Sequence, residues 1–274
     1  MNRRIPATVV TALSIAAVIA ATATPSAAAG HRINPGGRLL KTSTHELLPA
    51  HGGTATSLNW SGYAVTPSSG GITAVKSSFV VPKAGAVVPG FTATWTGIGG
   101  YNTSDLIQAG VSENSQLTGS LSGGQYNAWY EILPAAETPI TNCTGDAACT
   151  VNPGDSVTVS ISLAGVNQWS VSLVDAGHWS WGQTIPYASS ESSAEWILEA
   201  PTVGVQTIPA DTGTAHFGPT STFTTVDGTQ TIAQGDPTQI DMGPGLVNEA
   251  TPSALAADGQ SFNDCTYKQS CPTP

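Results

Sequence analysis

The chain has 274 residues, of which only 9% are charged, and its formal net charge is −10. An acidic chain with so few bases repels nucleic acid, so that class of partner is excluded. No segment reaches the roughly 18 apolar residues of a membrane span, which argues against a membrane anchor.

In chain order, Arg3 and Arg4 precede a largely apolar run over residues 9–21 and the small-residue stretch Pro25-Ser26-Ala27-Ala28-Ala29. That order reads as a secretory signal peptide over residues 1–29, so the mature protein is expected to be secreted and extracellular. Residues 30–56 carry Arg32, Arg38, Lys41, His31, His45 and His51, with Glu46 the one acid. From Thr54 onward the bases are Lys76, Lys83 and Lys268, against 17 acids, a formal charge of −14. A basic leader ahead of an acidic body reads as a pro-segment held by charge; the competing reading is a linker without a function. In strong acid such a body gains little positive charge, so unfolding driven by repulsion among cations is weak.

Residues 57–274 are expected to form a single domain. Val157, Val159, Ile161 and Leu163 alternate with Thr158, Ser160 and Ser162, and Trp169, Val171 and Leu173 alternate with Ser170 and Ser172. Turn signals punctuate these runs at Asn152-Pro153-Gly154-Asp155, Asp175-Ala176-Gly177, Asp227-Gly228 and Ala257-Asp258-Gly259. The pattern is that of an all-β sandwich, with a turn near residues 252–257 as the one candidate for helix. Cysteines fall as two close pairs, Cys143/Cys149 and Cys265/Cys271. Three connectivities are possible, and local pairing is the simplest because each pair closes a short loop.

Several polar residues sit inside otherwise apolar strand patterns. Ala194-Glu195-Trp196-Ile197-Leu198-Glu199 puts Glu195, Ile197 and Glu199 on one face and Ala194, Trp196 and Leu198 on the other, core face. Leu106-Ile107-Gln108-Ala109-Gly110-Val111 carries a single amide, and Ala128-Trp129-Tyr130-Glu131 a single carboxylate. With Trp95 just before the Gln108 strand, these residues are expected to form a polar centre beside a wall of exposed tryptophans. His178 and His216 lack metal-ligand spacing, which disfavours a zinc peptidase. Asp211-Thr212-Gly213 matches the motif of pepsin-like aspartic peptidases, but such sites need two aspartates and no second copy occurs, so it reads as a surface turn.

Taken in order, Asn59-Trp60-Ser61-Gly62-Tyr63-Ala64-Val65, Trp95-Thr96-Gly97-Ile98-Gly99-Gly100, Ile107-Gln108-Ala109-Gly110, Ala128-Trp129-Tyr130-Glu131 and Ala194-Glu195-Trp196-Ile197-Leu198-Glu199 resemble the glutamic peptidase (eqolisin) family of secreted acid endopeptidases. The Ala-rich leader suggests a bacterial member. The resemblance implies a sandwich of two curved antiparallel sheets and a catalytic pair matching Gln108 and Glu195. Trp95, Glu131 and Glu199 follow as residues that bind substrate or orient the pair. It implies protein or peptide substrates, no metal or organic cofactor, and a monomer. Fungal members carry an acidic residue where this chain has Gly99, and another where it has Ser112. Two other classes compete: a carbohydrate-binding sandwich that stacks sugars on tryptophan, and a two-carboxylate glycosidase using Glu131 and Glu195.

Overall fold

The computed structural model describes residues 53–85, 90–115, 124–203, 205–243 and 248–274. The expected signal peptide, and the expected pro-segment up to residue 52, lie outside the described residues. In chain order the strands begin with β1 (Gly53–Ser57), β2 (Trp60–Val65), β3 (Ala74–Val80), β4 (Gly90–Ile98), β5 (Ile107–Ser115) and β6 (Gln125–Ile132). Then come β7 (Thr138–Pro139), β8 (Ser156–Gly165), β9 (Gln168–Asp175), β10 (Trp179–Pro186) and β11 (Ala194–Glu199). A small hairpin, β12 (Thr202–Val203) and β13 (Val205–Gln206), precedes β14 (Thr214–Phe217), β15 (Thr222–Thr225) and β16 (Gly228–Thr231). The chain ends with β17 (Thr238–Met242), β18 (Ala250–Pro252) and β19 (Phe262–Thr266). No helix forms over residues 252–257, where Pro252 ends β18. The one helical turn among the described residues is a 3-10 turn at Ile232–Gly235.

Pairings build two sheets. The first runs β1–β17–β2–β11–β4–β5–β6–β7, and the second runs β19–β14–β3–β8–β9–β10, with β15 and β16 extending from β3. A single pairing, Met242 with Ala250, lets β18 bridge β17 and β19. The alternating runs account for the stacking. Val157, Val159 and Ile161 of β8 and Trp169, Val171 and Leu173 of β9 face inward against Ile107, Ala109 and Val111 of β5 and Trp196 and Leu198 of β11. The sheets are tied through Trp196, whose indole N–H donates to the Lys76 carbonyl of β3 at 2.9 Å. Two disulfides, Cys143–Cys149 and Cys265–Cys271, close local loops with Cα separations of 5.4 and 5.5 Å.

A second apolar layer lies on the outer face of the first sheet. Trp60, Ala93, Trp95, Trp129 and Ile197 pack there with Tyr101 and Leu106 from the β4–β5 loop. Both faces of β11 are therefore buried, and all six of its residues are inaccessible to solvent or nearly so.

The core between the sheets also holds a carboxyl. Asp264 on β19 is fully buried, and its Oδ1 accepts from the Ser61 hydroxyl at 2.8 Å. Burial pushes its pKa well above the ordinary value, opposed by the Ser61 hydroxyl and the Cys265 backbone amide and reinforced by Asp241. A raised carboxyl pKa stabilises the fold fully below the unfolded value near ~3.9, and that contribution is lost as pH rises through the folded pKa. Urea midpoints measured at pH 4 and pH 8 are expected to fall with pH in the wild type. Asp264→Asn, isosteric and uncharged, should flatten that fall. An equal fall in both proteins would remove Asp264 as its source.

Candidate functional site

The strand register decides which side chains meet. Glu195 of β11 lies opposite Gly97 of β4, and Gly97 lies opposite Gln108 of β5, which lies opposite Glu131 of β6. On the other side Glu195 faces Ala64 of β2. Directly opposed residues share a face, so Glu195, Gln108 and Glu131 stand in one row on the outer face of the first sheet. Glu195 and Gln108 are two strand spacings apart, about 10 Å between Cα atoms. Gly97 leaves room between them for the Trp95 ring and the Leu106 side chain. A Cβ there would come within 3.0 Å of the Trp95 ring and of Leu106, and within 3.1 Å of the Gln108 Cβ.

Gln108 is fully buried, and its Nε2 donates to Glu131 Oε2 at 2.6 Å. A carboxylate only accepts, so Glu131 selects which end of the amide turns toward it. Gln108 Oε1 is left without a partner in the protein. Glu195 is also fully buried, and neither of its oxygens makes a hydrogen bond of normal geometry. Its pKa is raised well above the ordinary 4.5, first by burial and further by Asp105; the Ser193 hydroxyl and the Tyr101 backbone amide lie close enough to oppose the shift. An unsatisfied buried polar group costs about 1–3 kcal/mol. Two of them flanking a glycine on one row are a cost that packing alone does not explain.

The β4–β5 loop, residues 99–106, closes over this row. Asp105 accepts from the Ser190 amide at 2.6 Å and the Ser189 hydroxyl at 3.3 Å. Burial raises the Asp105 pKa, but hydrogen bonds from Ser190 and Thr103 outweigh it and hold the carboxyl below its ordinary value. The Leu106 amide donates to the Tyr187 hydroxyl at 2.8 Å, and the Gly99 amide to the Ser193 carbonyl at 3.0 Å. The loop is thus pinned to the segment that leads into β11. A Cβ on Gly99 would lie 3.0 Å from the Asp105 carboxylate, so Asp105 fills the space that an acidic side chain at position 99 would take.

The remaining candidates fall one or two rows away. Trp95 is fully buried, not part of an exposed wall, and Trp60 and Trp129 are buried with it. Gly110 opposite Trp95 makes this possible, because a Cβ there would sit 2.6 Å from the Trp95 Cβ. The Trp95 indole N–H donates to Glu199 Oε2 at 2.8 Å, and Asn59 Nδ2 donates to Oε1 at 3.3 Å. Trp60 meets Trp95 edge-on at 5.0 Å. Glu199 therefore fixes an aromatic layer beside the row. Ser112 is buried opposite Ala93, in the Glu199 row. Asp211 is exposed in a turn, its Oδ1 accepting from the Gly213 amide at 3.1 Å and the Thr266 hydroxyl at 3.0 Å. A cavity of about 730 Å³ opens elsewhere, between β6–β7 and β10, and no carboxylate or histidine lines it. Sequence reasoning missed Asp105, Ser193 and Tyr101, which reach the row only through loop closure.

Residues 58–267 match the model of the peptidase A4 family. The chain belongs to that family. Scytalido-glutamic peptidase, solved with a transition-state analog inhibitor, is similar at 18% identity and a TM-score of 0.59, covering 77% of this chain and 98% of that one. SCP-B, an eqolisin solved with the tripeptide Ala-Ile-His, is similar at 17% identity and a TM-score of 0.58, with 77% and 98% coverage. Aspergilloglutamic peptidase from Aspergillus niger is similar at 21% identity and a TM-score of 0.53, covering 64% of this chain and 98% of that one. These likenesses extend to the fold. No curated protein matches the chain by sequence.

In this peptidase A4 family member, the Glu195 carboxyl is expected to stay protonated above the ordinary glutamate range. Infrared difference spectra across a pH titration should show a protonated carboxyl band that Glu195→Gln removes. Ser193→Ala should move that titration further up, because the lost hydroxyl favoured the anion. A Glu195 that titrates with the exposed carboxylates would contradict this reading.

Proposed function

We propose that the protein is a secreted, acid-acting endopeptidase in which Glu195 serves as general base and then general acid, and Gln108 as oxyanion donor. The observation that carries this reading is the row itself. Glu195 and Gln108 flank Gly97 on one face, both buried, with Glu195 lacking normal partners and Gln108 Oε1 unpartnered. Ionised Glu195 takes a proton from a water as that water attacks the scissile carbonyl carbon. The carbonyl π electrons move to oxygen, and an N–H of Gln108 donates to the oxyanion. Gln108 Oε1 holds the attacking water, and Glu131 acts as a positioning residue by fixing the amide. When the C–N bond breaks, the proton on Glu195 passes to the leaving amine. Every proton is supplied by water or by Glu195.

The competing classes have less support. Glu131 and Glu195 stand three strand spacings apart with Gln108 between them, and the Glu131 carboxylate is engaged by the Gln108 amide at 2.6 Å, so the two carboxyls do not face each other across an open gap as a glycosidase pair does. Trp60, Trp95 and Trp129 are buried, which disfavours a sugar platform on this face.

Turnover of a quenched fluorescent peptide in acid tests the reading, with circular dichroism reporting folding. Glu195→Gln should abolish activity in a folded protein, and Gln108→Ala should cost roughly 100-fold in turnover, the scale of one oxyanion donor. Asp211→Asn should be near wild type, and pepstatin should not inhibit. Because Glu195 is raised, the acid limb of kcat/KM should lie above pH ~4.3. An active Glu195→Gln with a dead Asp211→Asn would move the site to Asp211.

The signal peptide and pro-segment are part of the same proposal. β1 pairs with β17 from Gly53 onward, so a maturation cut that keeps the sheet whole falls at or just before Gly53. N-terminal sequencing of active secreted protein should find that start. Active protein that retains Arg32 to Lys41 after acid exposure would remove the case for a pro-segment.

A further inference from the structure

Two turns on the second sheet, neither part of the proposed peptidase site, bring together side chains that the sequence keeps apart. Asp155 precedes β8, Asp175 ends β9, and His178 lies in the turn before β10. Backbone pairing holds them in place. Val157 and Trp179 both pair with Asp175. The Val81 amide donates to the Asp155 carbonyl at 2.9 Å, and the His178 amide to the Asp175 carbonyl at 3.0 Å. One ligand atom from each of the three side chains lies within 4.8 Å of the others. His178 Nδ1 is 3.1 Å from Asp175 Oδ2 and 3.8 Å from Asp155 Oδ1.

The Asp175 side chain is wholly shielded from solvent, and its Oδ1 has no partner in the protein. Its Oδ2 is hydrogen-bonded to His178 Nδ1 at 3.1 Å, so the carboxylate is satisfied on one side and left bare on the other, a costly state for a buried group. His178 is 55% exposed, which leaves one side of the cluster open. A cavity of about 350 Å³ lined by Asp146, Thr150, Asn152, Gly177 and His178 adjoins it, adding another acid and room for water.

We infer that Asp155, Asp175 and His178 form a binding site for a divalent transition-metal ion of the zinc type. Zinc holds nitrogen and oxygen ligands at about 2.0–2.1 Å, so ligand atoms at tetrahedral angles stand about 3.4 Å apart. The separations of 3.1 and 3.8 Å bracket that figure. An imidazole with two carboxylates suits zinc better than calcium, which takes six to eight oxygens. Water completes the shell from the open side. Bound metal clamps the turn after the Cys143–Cys149 loop to the β9–β10 turn. The Thr150 carbonyl already accepts from the Trp179 indole there, at 2.7 Å.

Isothermal titration of the purified full chain with zinc chloride at pH 7, with calcium chloride as the comparison, tests the site. Cobalt(II) in place of zinc should give the visible absorption of a four-coordinate site. The expected result is one saturable zinc per chain, a higher thermal midpoint with zinc, and much weaker calcium binding. His178→Ala should weaken zinc by more than about tenfold, with circular dichroism showing that the variant is folded. Asp155→Asn should weaken it likewise. Absent or non-saturable binding, affinity unchanged in both variants, or a preference for calcium would overturn the assignment. Peptide turnover is not a readout, so failure here is separate from failure of the peptidase proposal.

Discussion

The candidate site depends on one register: β4 held between β11 and β5 so that Gly97 faces Glu195 on one side and Gln108 on the other. A slip of one residue would send either polar side chain through the sheet into the core. The inward residues prevent it. Trp196 and Leu198 on β11, and Ile107, Ala109 and Val111 on β5, are committed to the space between the sheets. Burial of each of Leu198, Ile107 and Val111 is worth about 1.5–3 kcal/mol, and together they outweigh the cost of about 1–3 kcal/mol for either unsatisfied polar group. The packing on one face therefore supports the chemistry on the other.

Glu195 and Asp264 tell a consistent electrostatic story from different places. One sits on the outer face under a loop and the other between the sheets, and burial raises both. Each makes the folded state a better proton binder than the unfolded chain. The scarcity of bases acts at the surface in the same direction, by limiting cationic repulsion in acid. Surface and interior thus both favour a fold that holds together at low pH.

Much of this was legible in the sequence, for reasons that differ by residue. The β8 and β9 strands were readable because each alternates strictly between apolar and small polar side chains. Gln108 is the lone polar group in its apolar run, and Glu195 one of two carboxylates on one face of its strand, so both were visible. Their common row was not readable, since register across β11, β4 and β5 is a property of pairing. The tryptophans misled, because Trp95 and Trp129 lie on the site face and a tryptophan there reads as a binding surface. Gly110 and the β4–β5 loop instead let them form a second buried layer. Asp105 and Ser193 belong to loop segments whose closure no local pattern encodes. Asp155, Asp175 and His178 looked like turn residues, and they are; their meeting follows from the β8–β9–β10 meander.

The two disulfides bear on how such a protein survives in its own company. Each closes a ring of local backbone, one over residues 143–149 and one over residues 265–271. The first ring is a loop that touches the sheet at the Thr144–Ser180 pair, and the second starts in β19 at Cys265 and Thr266 and runs out along the irregular tail, where an extended chain is easiest for another molecule to seize. Hydrolysis of a single bond inside either ring separates no fragment, because the new ends stay joined through sulfur. The second ring also anchors the tail, where Asn263 Nδ2 donates to the Pro272 carbonyl at 2.8 Å. A nick at these places leaves β19, and with it Asp264, seated in the core.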